Sequence, residues 1–393
     1  MDRLFVNLKH QIVTNSPEPT RLWVSMILTA AALIGVFAGL FAFATWLERK
    51  GLGRAQNRYG PNRVGPFGLF QPIADGLKMI FKEDIVPERA DRVLHFLAPI
   101  LVVVPVILCF AVLPFGRGMT PVSLEYGLLF FLALGGIREI GIFMAGWGSR
   151  SKFTLLGAMR AIAQMISYEA PLVLSTLPVV VVTGTLSLDR IVEAQSGYVG
   201  GWLGRWFVWT PWGLTGFVLL LIAATAESNR CPFDLPEGES EIIAGHMVEY
   251  SGFKYALFFV GEYLGLFAIS GLMTTLYLGG WHDPTPLLAW IPSWAWFFGK
   301  VMALIAFFIW LRATLPRLRP DQLMSFAWKF LLPMSLVNLI VAGVWVWTRT
   351  WGGGIGLILR WVVCAILVWG PWYVLSRALY RPDQRRREYV FMS

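Results

Sequence analysis

Five carboxylates, Glu227, Asp234, Glu237, Glu239 and Glu241, crowd into the sixteen residues AESNRCPFDLPEGESE (226–241) of a chain whose formal net charge is +9. Like charges packed together raise one another's pKa, desolvation adds to the effect, and buried glutamates reach about 8 to 9. Such a cluster can hold and pass protons near neutral pH. On a helix, Glu237 and Glu241 would share a face, with Glu249 two turns further along it. A solvated acidic loop that docks on basic residues of a neighbouring subunit explains the same residues, and the two roles are compatible.

Ionisable residues also interrupt the apolar stretches. Arg138, Glu139, Arg160, Glu169, Glu262 and Lys300 lie in or beside them. Near a bilayer centre each costs about 2.5 to 3.5 kcal/mol even on a lenient insertion scale, so such groups face protein, water or one another. Glu169 stands in SYEAP, where Pro171 removes a helix donor and can open the local hydrogen-bond ladder. An ion pair with Arg160 or Arg138 accounts for Glu169, and so does a place in a proton relay. Arg138 and Glu139 have opposite signs and compensate each other locally, which leaves them outside the main site.

Cys109, Cys231 and Cys364 are widely scattered, with no CxxC and no histidine at metal-ligand spacing. Neither an iron–sulfur cluster nor a disulfide framework can be built from them. A Walker loop, a GxGxxG ahead of a helix and a Gly-x-Ser-x-Gly elbow are all absent from the sequence. Any redox cofactor is therefore expected in partners, with none bound by this chain.

The elements that must position these residues are membrane helices. The chain is 56% hydrophobic and 15% charged, with 19 Trp, too apolar for a soluble domain of 393 residues. Stretches of about 20 apolar residues, enough to cross roughly 30 Å of hydrocarbon, occur near 22–47, 93–114, 124–147, 155–183, 211–227, 253–279, 292–311, 325–348 and 355–377. They predict an all-α polytopic bundle of nine spans in a single membrane domain, 1–393. The alternation of an outer-membrane barrel is missing. The first apolar segment is longer than a signal-peptide core and lacks a small-residue cleavage site, so it reads as an uncleaved span. With the N-terminus outside, 22 of the 33 Lys and Arg fall in inside segments and seven outside. The acidic loop, 228–252, and the basic C-terminal tail, 378–393, then face the cytoplasm. The positive balance reads as topology and attraction to anionic lipid, with no nucleic-acid role. The stretches GWLGRWFVWTPW and AWIPSWAW predict aromatic belts at the outer interface.

An amphipathic helix is predicted over 67–84. At about 100° per residue, Leu69, Phe70, Ile73, Leu77, Ile80 and Phe81 fall in one arc, and Gln71, Asp75, Lys78 and Lys82 in the opposite one. Such a helix lies in the membrane interface. It serves either as an anchor that covers the bundle or as a chamber wall facing a long-tailed ligand.

Four blocks make a resemblance specific: WLERKGLGRAQNRYGPNRVGPFGLFQPIADGLKMIFKED, GWGSRSKFTLLGAMRAIAQMISYEAPL, AESNRCPFDLPEGESEIIAGHMVEYSGFKYALFFVGEY and LRATLPRLRPDQLMSFAWKFLLP. In order and spacing, from about residue 40 to 335, they resemble the H-subunit family of proton-pumping NADH:quinone oxidoreductase, respiratory complex I. The resemblance implies a helical component of the bacterial cytoplasmic membrane, with the C-terminus in the cytoplasm. It further implies a quinone entrance and part of the quinone chamber, with quinone as substrate, and the start of a proton-coupling path. Iron–sulfur clusters and flavin are then expected in partner subunits. Those partners are the other membrane-arm subunits and the iron–sulfur and quinone-site subunits of the peripheral arm.

Carried over residue by residue, the resemblance gives a proton-coupling set of Glu169, Glu227, Asp234, Glu237, Glu239, Glu241 and Glu249. It gives a chamber set of Glu48, Arg49, Ala74, Asp75, Leu77 and Arg312. Glu48 and Arg49 sit at the exit of the first helix, where a local salt bridge also explains them, and Arg317 and Arg319 read as positive-inside anchors. Arg138, Glu139 and the ninth span depart from the family pattern. Two other readings fit the intramembrane charges: the equivalent subunit of a hydrogenase-type complex, and an autonomous ion carrier. The hydropathy pattern shows no inverted repeat of the kind that a carrier would carry.

Overall fold

The computed structural model describes residues 4–14, 17–235, 244–350 and 353–379. Its helices are α1 (Leu4–Thr14), α2 (Arg21–Ala55), α3 (Gln71–Phe81), α4 (Arg92–Cys109), α5 (Gly127–Gly148), α6 (Lys152–Thr183) and α7 (Leu188–Glu193). They continue as α8 (Pro211–Glu227), α9 (Gly252–Tyr277), α10 (Ser293–Thr314), α11 (Pro320–Phe326), α12 (Leu332–Trp347) and α13 (Gly353–Leu379). Among the described residues, eight helical segments are long and apolar enough to cross a membrane, and α8, at 17 residues, is an apolar helix just short of that length. The chain is thus an all-α polytopic membrane protein. The only strands in the described residues are the two-residue pair Tyr198–Val199 and Leu203–Gly204.

Local chemistry sets the helix ends. The Asp91 carboxylate caps α4 by accepting from the Val93 and Leu94 amides at 3.1 and 3.3 Å. Thr210 caps α8 by accepting from the Gly213 amide at 3.2 Å, ahead of Pro211. Gly184, with φ +70°, closes α6 in the left-handed conformation that glycine adopts freely. A π-helical stretch, Ala327–Leu331, joins α11 to α12, so that Pro320–Thr350 forms one candidate span.

The core is centred on α6, which packs against α5, α8 and α12, while α9 packs against α4, α10, α2 and α3. Close approach of α4 and α5 depends on Gly141, where a Cβ would come within 2.8 Å of Val102 Cγ2. Buried polar groups are tied across helices. Tyr168 Oη donates to the Leu323 carbonyl at 2.9 Å, and Tyr277 Oη donates to the Ser175 carbonyl. Lys300 turns out to be structural. Its ammonium donates to the carbonyls of Leu278, Gly280 and His282 at 2.7, 2.9 and 2.6 Å and lies 4.1 Å over the Trp206 ring. The aromatic-belt expectation divides: Trp202 and Trp290 are exposed, but Trp212 is wholly buried and belongs to the core.

Candidate functional site

A buried charge network closes one end of the bundle. Glu48 leaves α2 on its inner face and meets Arg230, whose Nη1 is 2.6 Å from Glu48 Oε1. Arg230 Nε lies 3.0 Å from Glu262 Oε1 on α9, and the guanidinium carbon sits 4.5 Å from the centre of the Tyr263 ring. Arg312, at the end of α10, pairs with the same Glu48 oxygen. Glu48, Arg230 and Glu262 are only 3, 5 and 6% exposed. Burial opposes the Arg230 charge, but the Glu262 and Glu48 carboxylates outweigh it and hold the group protonated well above its ordinary range. The local Glu48–Arg49 bridge is not what forms. Arg49 points outward and pairs with Asp75 of α3, which also accepts from Gln71 Nε2 at 3.0 Å.

The position of α3 follows from these ties. It packs against α2 and α9, the two helices that carry the ends of the network. Gln71, Ala74 and Asp75 are half-buried, whereas Ile73, Leu77 and Ile80 are exposed, Leu77 at 51%. Gln71 and Asp75 of the polar arc therefore face the bundle, Lys78 and Lys82 are exposed, and the apolar arc faces out. The segment after α3 is fastened to the start of α9. Ser251 Oγ accepts from the Ile85 amide at 2.7 Å and donates to the Glu83 carbonyl at 3.0 Å, and Lys254 pairs with Asp84 at 2.7 Å.

Deeper in the bundle, a cavity of about 70 Å³ brings together Glu169 of α6 and Glu227 of α8 beside Arg138 of α5, within a mainly apolar lining. Glu227 Oε2 is sealed from solvent without a hydrogen-bond partner. No ion pair to Glu169 forms within 4.0 Å among the described residues. Arg138 and Glu139 are both buried, and Arg138 lines this cavity. The acidic segment that follows α8 is pinned by Gln164 Nε2, which donates to the Ala226 and Phe233 carbonyls at 2.8 and 2.7 Å.

Asp234 is half-buried beside Cys231, and its charge, after burial, raises the thiol pKa. Glu237, Glu239 and Glu241 lie outside the described residues. Glu249 is not on a helix continuing from them. Residues Gly245–Met247 form a 3₁₀ turn, and Gly245 and Gly252, with φ of +55° and +57°, interrupt any α-helical ladder there. Glu249 instead offers its carbonyl to His95 Nε2 at 3.4 Å. His246 is buried in this connection, and burial together with the Arg138 charge pushes its pKa down to about 4, so the ring is neutral near pH 7.

Sequence reasoning passed over Arg230 and did not assign Glu262 to the site. A lone arginine inside a run of carboxylates was the available signal for Arg230, and Glu262 already stood out as a charge within an apolar stretch. No group of three or more His, Cys, Asp or Glu among the described residues is placed to hold a metal ion.

Arg312 Nη1 meets the Glu48 carboxylate from the end of α10, so position and donor geometry both matter. Arg312→Lys keeps the charge but loses the planar fork. With about 1 kcal/mol of hydrogen bonding at stake, any activity that depends on this contact should fall about fivefold. Parent kinetics would leave Arg312 a topology anchor only.

A family model described as NADH dehydrogenase matches residues 28–343. The chain is 50% identical over 324 residues to an H subunit of NADH-quinone oxidoreductase from Dehalococcoides mccartyi, covering 81% of this chain and 86% of that protein. It is 47% identical over 336 residues to an H subunit of the same enzyme from Geobacter metallireducens, covering 83% and 98%. Against the corresponding H subunit from Geobacillus kaustophilus it is 47% identical over 331 residues, covering 83% and 96%. The network, α3 and the carboxylate cavity all fall inside the family match, whereas α13 falls beyond it.

Proposed function

The chain belongs to the NADH dehydrogenase family, alongside the H subunits of NADH-quinone oxidoreductase, and is a membrane subunit of complex I; from that membership we propose that it forms the quinone entrance and part of the quinone chamber and begins the proton-coupling path. The observation that carries this reading is the buried Glu48–Arg230–Glu262 network, joined by Arg312, at the end of the bundle where α3 crosses α2 and α9. A charge cluster of this kind is costly to bury and persists in a membrane where it serves a ligand or an ion path.

In this reading a quinone enters with its apolar tail in the membrane and its head group toward Ala74 and Asp75 on the inner arc of α3 and toward Arg49 of α2, which pairs with Asp75. Charge changes at the head group act on the Glu48–Arg230–Glu262 network. The acidic segment Glu227–Glu249 and Glu169 take up and pass protons. Flavin and iron–sulfur clusters reside in peripheral-arm partners, and the chain sits in the bacterial cytoplasmic membrane with its acidic loop on the cytoplasmic side. The excess of Lys and Arg in the segments assigned to that side supports this orientation.

Ala74→Trp places a large ring on the half-buried inner arc and should lower inhibitor-sensitive NADH:quinone activity about tenfold, equivalent to ~1.4 kcal/mol. Leu77→Trp, on the exposed arc, should have a smaller effect. NADH oxidation by an artificial acceptor in the peripheral arm reports assembly and should persist in both. Full quinone reductase activity in Ala74→Trp would reject the inner arc as a chamber wall. The reverse order of effects would place access along the outer arc.

A further inference from the structure

Arg138 carries more than the compensation of its neighbour Glu139. Its side chain is 6% exposed and lines the cavity that holds Glu169 and Glu227. It also lines a second space, of about 10 Å³, with Asn229, His246 and Glu262. Among the described residues no other lines both. Two glycines make room for the charged ends: a Cβ at Gly265 would come within 3.1 Å of Arg138 Nη1, and one at Gly136 within 3.3 Å of Glu169 Oε1.

Arg138 Nε and Glu227 Oε2 are both buried without a hydrogen-bond partner. No ion pair to Arg138 forms within 4.0 Å among the described residues. A cavity of about 70 Å³ exceeds the ~10–15 Å³ that one water requires, and a bridging water can stand in for a direct contact.

We propose that Arg138 is a positioning residue for the Glu169–Glu227 carboxylates, its guanidinium setting, across the water-sized space between them, the charge state in which they accept a proton. This rests on the proton-coupling reading above. An arginine does not give up its own proton, so a proton crossing this point travels by the carboxylates. The groups facing Arg138 are Glu139 on its own helix, Cys109 of α4, Glu169 of α6, Glu227 of α8, His246 ahead of α9 and Glu262 of α9. A thiol ordinarily keeps its proton at pH 7, and His246 is a neutral ring there, so the carboxylates are the groups left to respond.

Removing a nearby positive charge makes a carboxylate harder to ionise. In purified complex reconstituted into vesicles, Arg138→Gln should move the acidic limb of the pH profile of NADH:quinone activity to higher pH by about one unit. KM for quinone should stay unchanged. The double variant Arg138→Gln, Glu139→Gln separates the alternatives, because it removes both members of the neighbouring pair. Mutual compensation alone predicts the parent profile, whereas the positioning role predicts the shifted limb.

A parent profile in the double variant overturns the proposal. Should the double variant not accumulate, Arg138→Lys carries the test: a shorter ammonium should give a smaller shift in the same direction, and an unchanged profile overturns the proposal. Glu227→Gln, measured alongside, reports on the coupling reading itself. Normal quinone reduction and proton uptake in Glu227→Gln would reject that reading and the proposal with it. A depressed Glu227→Gln with an unshifted double variant would reject the role of Arg138 alone.

Discussion

Arg230→Met is expected to prevent the complex from accumulating in the membrane. Arg230 is the only cation that touches both Glu48 and Glu262 among the described residues, and its removal leaves two buried carboxylates with Arg312 alone beside one of them. Breaking a buried ion pair from one side costs about 3–5 kcal/mol, because the orphaned charge remains. That is a large fraction of a typical folding free energy of ~5–15 kcal/mol. The readout is the amount of intact complex on native gels of solubilised membranes, with NADH:quinone activity measured on what assembles.

The same argument gives a second arm. Neutralising all three positions together, Glu48→Gln, Arg230→Met and Glu262→Gln, removes the uncompensated charges, and neutral replacements of buried ion networks are often tolerated. Assembly should therefore recover while quinone reduction does not. Recovery of both would make the network a structural device only. Normal assembly and activity in Arg230→Met would show that neither folding nor chemistry depends on it.

The second large effect is expected from Glu237, Glu239 and Glu241 replaced together by Gln. Gln keeps size and hydrogen-bonding capacity but removes titration. If these carboxylates handle protons, the variant assembles and loses quinone reduction and proton uptake together, since tightly coupled steps stall together. If they only dock on a basic neighbour, the variant loses its association with other subunits instead. Exposed charge pairs are screened over about 8 to 10 Å near physiological salt, so that association would vary with ionic strength. NADH:quinone activity and proton uptake in vesicles, with artificial-acceptor activity as the assembly control, decide between them. Normal rates with normal pumping would eliminate all three residues as an essential relay.

Much of the architecture was legible because a bilayer imposes one strong rule. Apolar runs of about 20 residues must satisfy their own backbone, so α2, α4, α5, α6, α9 and α10 appear where hydropathy puts them. Even α8, shorter than the rest, fell within the predicted 211–227 stretch. The arcs of α3 were legible from periodicity, but which arc faced inward was not. That choice depends on Asp75 finding Arg49, a contact 26 residues away.

Long-range pairing hid the rest of the site. Arg230 meets Glu48 across 182 residues, and nothing in the periodicity of either segment announces the other. Glu48 and Arg49 looked like partners because they are adjacent, yet consecutive residues on a helix point about 100° apart and serve different neighbours. Arg138 is adjacent to Glu139 and also lines the cavity of Glu169 and Glu227, a contact across helices that adjacency does not announce. Glu249 left the expected helix because of Gly245, whose positive φ shows only in three dimensions.

The Lys300 clasp has a mechanical consequence. In the N-terminal half of α10, Lys300 grips three carbonyls of the turn that follows α9. At the opposite end of the same helix, Arg312 is bonded to Glu48, which is linked through Arg230 to Glu262 of α9. The α9–α10 hairpin is therefore riveted at both ends, and its two helices cannot slide past each other without breaking a buried charge contact. The contacts at both ends constrain the two helices to shift as a pair rather than independently.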